Sequence, residues 1–314
     1  MTASIPQTPP RVLVVGSINM DLVVRSERLP ASGETLIGRS LSEIPGGKGA
    51  NQAVGAARLG ADVSLIGRLG DDGFGNALRT TLDVEGIRLE GVLHTSDCCS
   101  GVAMIGVEDS GQNCITVVQG ANGRLTPDDV QTQAKEFARA DVLLLQLEIP
   151  IETVLTAIKL AKINDVLTIL DPAPAMLNCQ PEMLHVDVVC PNETEATLLT
   201  GIDITTTESA HWAAEKLQQM GARRVTITLG DRGAVFRDAS GSSGHVEPFS
   251  VTAIDTTAAG DAFAAAIGLR LSEGASLQEA ARFACAAGAI AASRKGAQPG
   301  MPSRADVNGL MTGL

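Results

Sequence analysis

The chain has 314 residues, 44% of them hydrophobic and 33 of them glycine, enough for a sizeable core and too long for a mini-protein stapled by disulfides or a metal. With 36 acidic against 24 basic residues, a formal charge of −12, no tyrosine and only 2% aromatics, it suits neither a polyanion, an anionic membrane nor base-stacking recognition of nucleic acid. A small polar substrate fits that balance better.

Residues 11–15 (RVLVV) are the β-branched run of a central parallel strand buried on both faces. Helix-like segments at 51–59 and 75–85 then alternate with a strand at 62–66. Farther on, 142–147, 166–170, 186–189 and 225–229 predict strands, and 151–162 and 208–220 predict helices. This alternation predicts an α/β fold: a doubly wound, mainly parallel sheet flanked by helices, forming a single domain over 11–314. Residues 22–44 and 101–118 break the pattern with Gly and Pro punctuation and no helical period. They read as short antiparallel strands, within 20–44 and 101–118, that leave the main domain together as a small β-sheet lid; the alternative is two surface hairpins that never meet. Residues 239–244 (ASGSSG) read as a loop, and 258–293 as two closely packed alanine-rich helices broken near Glu273 and Gly274.

Six cysteines (Cys98, Cys99, Cys114, Cys179, Cys190 and Cys285) form no C-x-x-C, and the histidines (His94, His185, His211, His245) form no H-E-x-x-H. The cysteines therefore read as buried or half-buried free thiols in a reducing cytoplasm. The N-terminus has no apolar signal core, no run approaches the roughly 18 apolar residues of a membrane span, and residues 1–10 read as a flexible leader. A soluble cytoplasmic protein is the expectation.

Three segments carry chemistry. In AIDTTAAGDAFA (253–264), small residues and a glycine before a helical run expose backbone N–H groups at a helix N-terminus, an anion site with Asp261 in its first turn. A carboxylate beside a phosphate cradle can orient an acceptor hydroxyl and take its proton; read alone, an acid at this position is more often only a helix-stabilising charge. PGGKGANQA (45–53) is not a Walker A loop, because Gly49 follows Lys48 and the spaced upstream glycine is missing, nor does Gly16 open a G-x-G-x-x-G fingerprint. Lys48 and Asn51 instead offer donors to several hydroxyls of a polyol. In GSINMD (16–21), Asn19 and Asp21 lie two residues apart after the first strand, able to face the same way and chelate neighbouring hydroxyls, or simply to form a turn. Glu148, beyond the 142–147 strand, is another strand-end carboxylate.

With DPAPA (171–175), PNETEA (191–196), TLGDRG (228–233), DTTAAGDAF (255–263) and RKGAQPG (294–300), these segments resemble, in order and through nearly the whole chain, the ribokinase, or PfkB-like, family of carbohydrate kinases. GGKGANQA is similar to the ribose-directed members, whereas fructokinase-like members more often carry GGAPAN. The resemblance implies ATP-dependent phosphorylation of ribose at its 5-hydroxyl. It places Asn19, Asp21, Gly47, Lys48, Asn51 and Glu148 on the sugar, Asp261 as catalytic base, and the Ala258, Ala259 and Gly260 amides as anion hole. It also places Asn192 and Glu195 on the phosphate and Mg²⁺ side, and Thr228, Gly230, Gly233, Gly260 and Cys285 around the nucleotide. A monovalent-cation site, usually K⁺, would use Asp255, Thr257, Ala291, Arg294, Gly296 and Gly300.

Two positions depart from that pattern. Gly300 stands where a Ser is common, leaving a carbonyl and no hydroxyl for the cation; Cys285 stands where an Asn or His often edges the adenine. The four histidines receive no function, Trp212 is expected to cover apolar surface, and Met20 to point into the core. The lid's open strand edges predict a homodimer through the lid. Other readings are a kinase for another pentose or nucleoside such as 2-deoxyribose, a catalytically silent sugar-binding regulator, and, disfavoured by the missing fingerprint, a dehydrogenase.

Overall fold

The computed structural model describes residues 8–175 and 180–313; most of the expected leader, and Cys179, lie outside them. In chain order the elements are β1 (Arg11–Val15), β2 (Asn19–Ser26), β3 (Ser40–Gly46), α1 (Lys48–Arg58), β4 (Asp62–Gly70), α2 (Gly73–Val84), β5 (Arg88–Thr95), β6 (Gly101–Glu108) and β7 (Asn113–Val118). After them come α3 (Pro127–Thr132), α4 (Ala134–Phe137), β8 (Val142–Leu145), α5 (Ile151–Ile163), β9 (Leu167–Leu170), β10 (Val188–Val189), α6 (Glu193–Thr200), α7 (Thr207–Gln219) and β11 (Arg224–Thr228). The chain ends with β12 (Ala234–Arg237), β13 (Ser243–Val246), α8 (Ala259–Ser272), α9 (Leu277–Ala292), α10 (Ala297–Gly300) and α11 (Arg304–Thr312).

The large sheet runs β13-β12-β11-β10-β9-β8-β1-β4-β5. It is parallel from β11 to β5, with an antiparallel hairpin, β12 and β13, on one edge. Side chains of β1 alternate between two cores, as a strand buried on both faces must. Val12 and Val14 pack with α1, α8 and α9 through residues such as Val54, Ala266 and Ala287, while Leu13 and Val15 pack with Phe137, Val154 and Ala213 on the other face. Connections leave β1 toward β4 on one side and β8 lies on the other, so the strand order reverses at β1, where open α/β sheets bind ligands beyond the strands' carboxyl ends.

The two segments expected to form a lid do meet in a second, smaller sheet, ordered β3-β2-β6-β7. Its outer pairs are antiparallel but its central pair, β2 and β6, is parallel from Asn19↔Gly101 to Ser26↔Glu108. The all-antiparallel expectation misses this because β3, α1, β4, α2 and β5 intervene, and so long a crossover permits a parallel return. Loop 239–244 shortens to a hairpin turn, since Ser243 already pairs with Arg237. The helix break falls as expected, between α8 and α9, and Met20 is buried. Trp212 instead stays 54% exposed. The described cysteines are free, and Cys99 and Cys114 are exposed rather than buried.

Candidate active site

The site gathers at the carboxyl ends of the parallel strands. Ser17 and Asn19 follow β1, Gln146 and Glu148 follow β8, Asp171 follows β9 and Asn192 follows β10. The segment read as a glycine-rich loop is largely helix: Gly47, at φ 86°, is the N-cap of α1, and Lys48 and Asn51 stand in its first turn. A Cβ on Gly47 would lie 2.6 Å from the Asn19 nitrogen, so glycine is what lets this helix start against β2.

Asp261, in the first turn of α8, is buried and turned toward Lys48 and Asn51, two of the residues expected on the sugar. Its Oδ2 accepts from Asn51 Nδ2 at 2.9 Å, its Oδ1 accepts from Gln52 Nε2 at 3.2 Å, and Lys48 Nζ stands 3.9 Å from Oδ1. Lys48 Nζ is also 3.7 Å from Asp171 Oδ2. Burial opposes the lysine's charge, but Asp171, Asp261, Glu148 and Glu195 together outweigh it and hold the ammonium well above the ordinary lysine range. Burial, then the charges of Glu148 and Asp261, push the Asp21 carboxyl up to about 7. Asn51 Oδ1 is buried with no hydrogen-bond partner, an acceptor available to a hydroxyl.

Supporting residues that sequence reasoning missed orient this set. Ser17 Oγ donates to Glu148 Oε2 at 2.5 Å, and Lys48 N donates to the same oxygen at 3.1 Å. Asn122, just after the lid strand β7, accepts from Ile18 N at 2.9 Å and donates to Asn19 Oδ1 at 2.7 Å. That second bond fixes the amide of Asn19 with its NH₂ free to donate elsewhere.

On the other side of the α8 N-terminus lies a cavity of about 540 Å³ lined by Thr228, Gly230, Gly233, Ala259, Gly260 and Cys285, together with Phe249 and Phe263. Six of the seven residues expected around the nucleotide or in the anion hole at this end thus share one cavity, Ala258 being the exception. A Cβ on Gly260 would meet nothing within 4 Å, so its backbone is open to an approaching group. One expectation needs correction: the Ala259 N–H donates to Thr256 O at 3.2 Å and is not free for an anion. The amide of the N-cap Ala258 and those of Gly260 and Asp261, which have no carbonyl four residues back within the helix, are the remaining donors. Ala258 stands at φ 63° as N-cap; the strained turn aims this end of the helix at the cavity. Cys285 is half-buried, and burial pushes its thiol up to about 12, leaving it an apolar cavity wall rather than a nucleophile.

Asn192 and Glu195 form a reciprocal capping box on α6, the side chain of each accepting the backbone N–H of the other at 2.9 and 2.8 Å. That is a structural role beside the expected one. Glu195 still belongs to the site's field: burial raises its carboxyl, against the pull of the Asn192 N–H and Lys48. Among the described residues no group of three or more His, Cys, Asp or Glu side chains is arranged to hold a metal. A Mg²⁺ here would therefore be carried mainly by phosphate oxygens, as this ion usually is.

The six residues expected around a monovalent cation converge. Asp255 accepts from Thr257 N at 3.0 Å and Gly296 N at 2.9 Å. These hydrogen bonds overcome burial and hold its carboxyl below the ordinary range. A Cβ on Gly300 would lie 3.3 Å from the Ala291 carbonyl oxygen and 3.8 Å from that of Arg294. Oxygen donors of this kind fit a hard cation, although the Ala291 carbonyl also accepts from Arg294 N.

The model of the pfkB family carbohydrate kinases matches residues 9–304. The chain is 42% identical over 291 residues to a ribokinase of Haemophilus influenzae, covering 93% of this chain and 95% of that one. It is 41% identical over 305 residues to a ribokinase of Bacillus subtilis, covering 96% and 99%. Its fold superposes on an Arabidopsis thaliana ribokinase solved with ribose and ATP with a TM-score of 0.88, at 35% identity and covering 97% and 99%. A buried acid at a helix N-terminus, set between the polar side chains of Lys48, Asn51 and Gln52 and an open cavity, thus occurs in a chain that belongs to the pfkB family of carbohydrate kinases.

Proposed function

We propose that this protein is an ATP-dependent kinase that phosphorylates D-ribose on its 5-hydroxyl, releasing ribose 5-phosphate and ADP. One observation carries the reading. The N-terminus of α8 joins two compartments: Gly260 lines the 540 Å³ cavity, while the next residue, Asp261, contacts Asn51 and Gln52 on the opposite side. A phosphoryl group leaving a nucleotide in the cavity has to cross only that helix end to reach a hydroxyl held by Asn19, Asp21, Lys48, Asn51 and Glu148.

In this reading Asp261 orients the acceptor hydroxyl and takes its proton, and little deprotonation is needed before the loose transition state is reached. The Gly260 and Asp261 amides and the helix dipole stabilise charge on the group in transit. Lys48 keeps the buried carboxylates Asp171 and Asp261 compatible. Bound Mg²⁺ would neutralise phosphate charge, with Glu195 as the nearby protein carboxylate. A K⁺ ion held by the 255–257 and 291–300 segments would set the loop that leads into α8.

The lid completes the reading. One of its faces exposes Leu41, Met104 and Val118, which the strand register sets on the same side, and β7 is an open edge exposed along its full length. Pairing two lids would cover both, so the working form is proposed to be a homodimer. Action in the cytoplasm is proposed on the absence of disulfides among the described cysteines; among the described residues no helix is long and apolar enough to cross a membrane.

The test is a panel of pentoses, 2-deoxyribose and nucleosides with Mg-ATP, read by ADP release and product mass. Ribose is expected to give the highest kcat/KM and a 5-phosphate. A higher kcat/KM for 2-deoxyribose, or sugar binding without ADP release, overturns the assignment. Light scattering that gives a monomer at assay concentration overturns the dimer.

A further inference from the structure

Gln52 follows Asn51 on α1 and is fully buried, as is Gln146 beyond β8. Its Nε2 carries two N–H groups, and each has a carboxylate: Asp171 Oδ2 at 3.0 Å and Asp261 Oδ1 at 3.2 Å. Its Oε1 accepts from Gln146 Nε2 at 2.6 Å. The amide cannot turn over, because its oxygen would then face two carboxylate oxygens and its NH₂ would face the NH₂ of Gln146. Gln52 is therefore a neutral fork with one permitted orientation, tying Asp261 on α8 to Asp171 on the β9 end. Asn51, on the other carboxylate oxygen, has an unpartnered acceptor to offer a ligand; every polar atom of the fully buried Gln52 is already engaged.

We infer that Gln52 is a positioning residue for the phosphoryl-transfer step, fixing the carboxylate plane of Asp261 through its shared bond with Asp171. This deepens the proposed function and rests on Asp261 being the base. Without the fork, two buried acids beside one lysine would have only Lys48 between them, at 3.7 and 3.9 Å. The Asp261 side chain could then rotate about its one remaining short bond, to Asn51. Because Gln52 itself holds no sugar, its loss should be felt in turnover and not in binding.

The test compares wild type, Gln52→Met and Gln52→Glu in the ribose-dependent ADP assay from pH 6 to 9. Methionine keeps the volume and removes both donors; kcat is expected to fall about 100-fold, with KM for ribose and ATP within about threefold of wild type. Glutamate keeps the shape but must hold a proton to act as a donor. It does so against Asp171, Asp261, Glu148, Glu195 and Asp21, with Lys48 alone favouring the charged form. Its kcat relative to wild type is therefore expected to fall steadily as pH rises. Wild-type kcat in Gln52→Met, or a Gln52→Glu profile parallel to wild type, overturns the inference; if the methionine variant does not fold, the glutamate profile decides. Failure of the wild type itself to phosphorylate a sugar overturns the function and this role together, and is distinguishable from ribose turnover that is indifferent to residue 52.

Discussion

Replacing Asp21 by Asn should make the ligand-free protein more stable while spoiling its affinity for sugar. The Asp21 carboxyl is buried, and burial with the charges of Glu148 and Asp261 lifts it from its ordinary 3.8 to about 7. Between those two pH values the folded protein keeps a proton that the unfolded chain has lost. The stabilisation from this group is thus fully present below about pH 4 and is lost as pH rises through about 7. At about 1.4 kcal/mol per pH unit, the whole loss is about 4 kcal/mol, of which about 2–3 falls between pH 5 and pH 8. Asparagine has no proton to lose, so Asp21→Asn should gain about that much on wild type between pH 5 and pH 8. Urea unfolding at both pH values, without sugar, measures it. The same change removes a charged acceptor for two hydroxyls, so calorimetric ribose affinity at pH 8 should fall by about 10- to 100-fold. Parallel stability profiles for the two proteins, or unchanged ribose affinity, would refute both the burial cost and the role.

Asp261→Asn is expected to lower kcat by about 10³-fold while leaving ribose and ATP binding nearly intact; steady-state kinetics with ligand titration check it, and retained turnover removes Asp261 from the base role. Gly260→Val projects a side chain into open space, so thermal stability should hold while the KM for ATP rises at least about tenfold with ribose affinity unchanged. Asn122→Ala frees the amide of Asn19 and unties Ile18 N; the expected result is a ribose KM raised by about 10-fold with little change in the KM for ATP. Activity should be higher in K⁺ than in Na⁺ at equal ionic strength, and equal rates would dismiss the 255–300 cation assignment.

The motif residues lay open in the sequence because each follows a strand end or opens a helix, and a parallel sheet brings strand ends together whatever the intervening chain. Their supports did not, because they act across distance. Asn122 meets Ile18 over 104 residues, Gln146 meets Gln52 over 94 and Ser17 meets Glu148 over 131, and no local period encodes such a partner. The start of α1 was read three residues late because GGKG looks like a loop until Gly47 is seen as an N-cap. In PNETE the spacing Asn192-x-x-Glu195 is itself a helix-start signal, which a reading for ligands passed over along with the short α6. The β12–β13 hairpin was missed because SGHV lacks a strand's alternation; Gly244 is needed there, since a Cβ would lie 2.7 Å from the Phe236 ring.

The electrostatics of the site suit its two sides to different ligands. Four acid side chains act on the single ammonium of Lys48, and burial raises the Asp171 carboxyl to about 8, so before ligands arrive this pocket holds far more acidic groups than basic ones. Neutral sugar hydroxyls suit it, since they donate to carboxylates and add no charge. A nucleotide polyphosphate does not, unless its charge is reduced first and it approaches from the α8 side, where amide N–H groups and the helix dipole face it. The proposed division into an acidic polyol compartment and a nucleotide cavity follows from one helix terminus standing between them. In the proposed reaction, the carboxylate that takes the proton, Asp261, is the residue where the two meet.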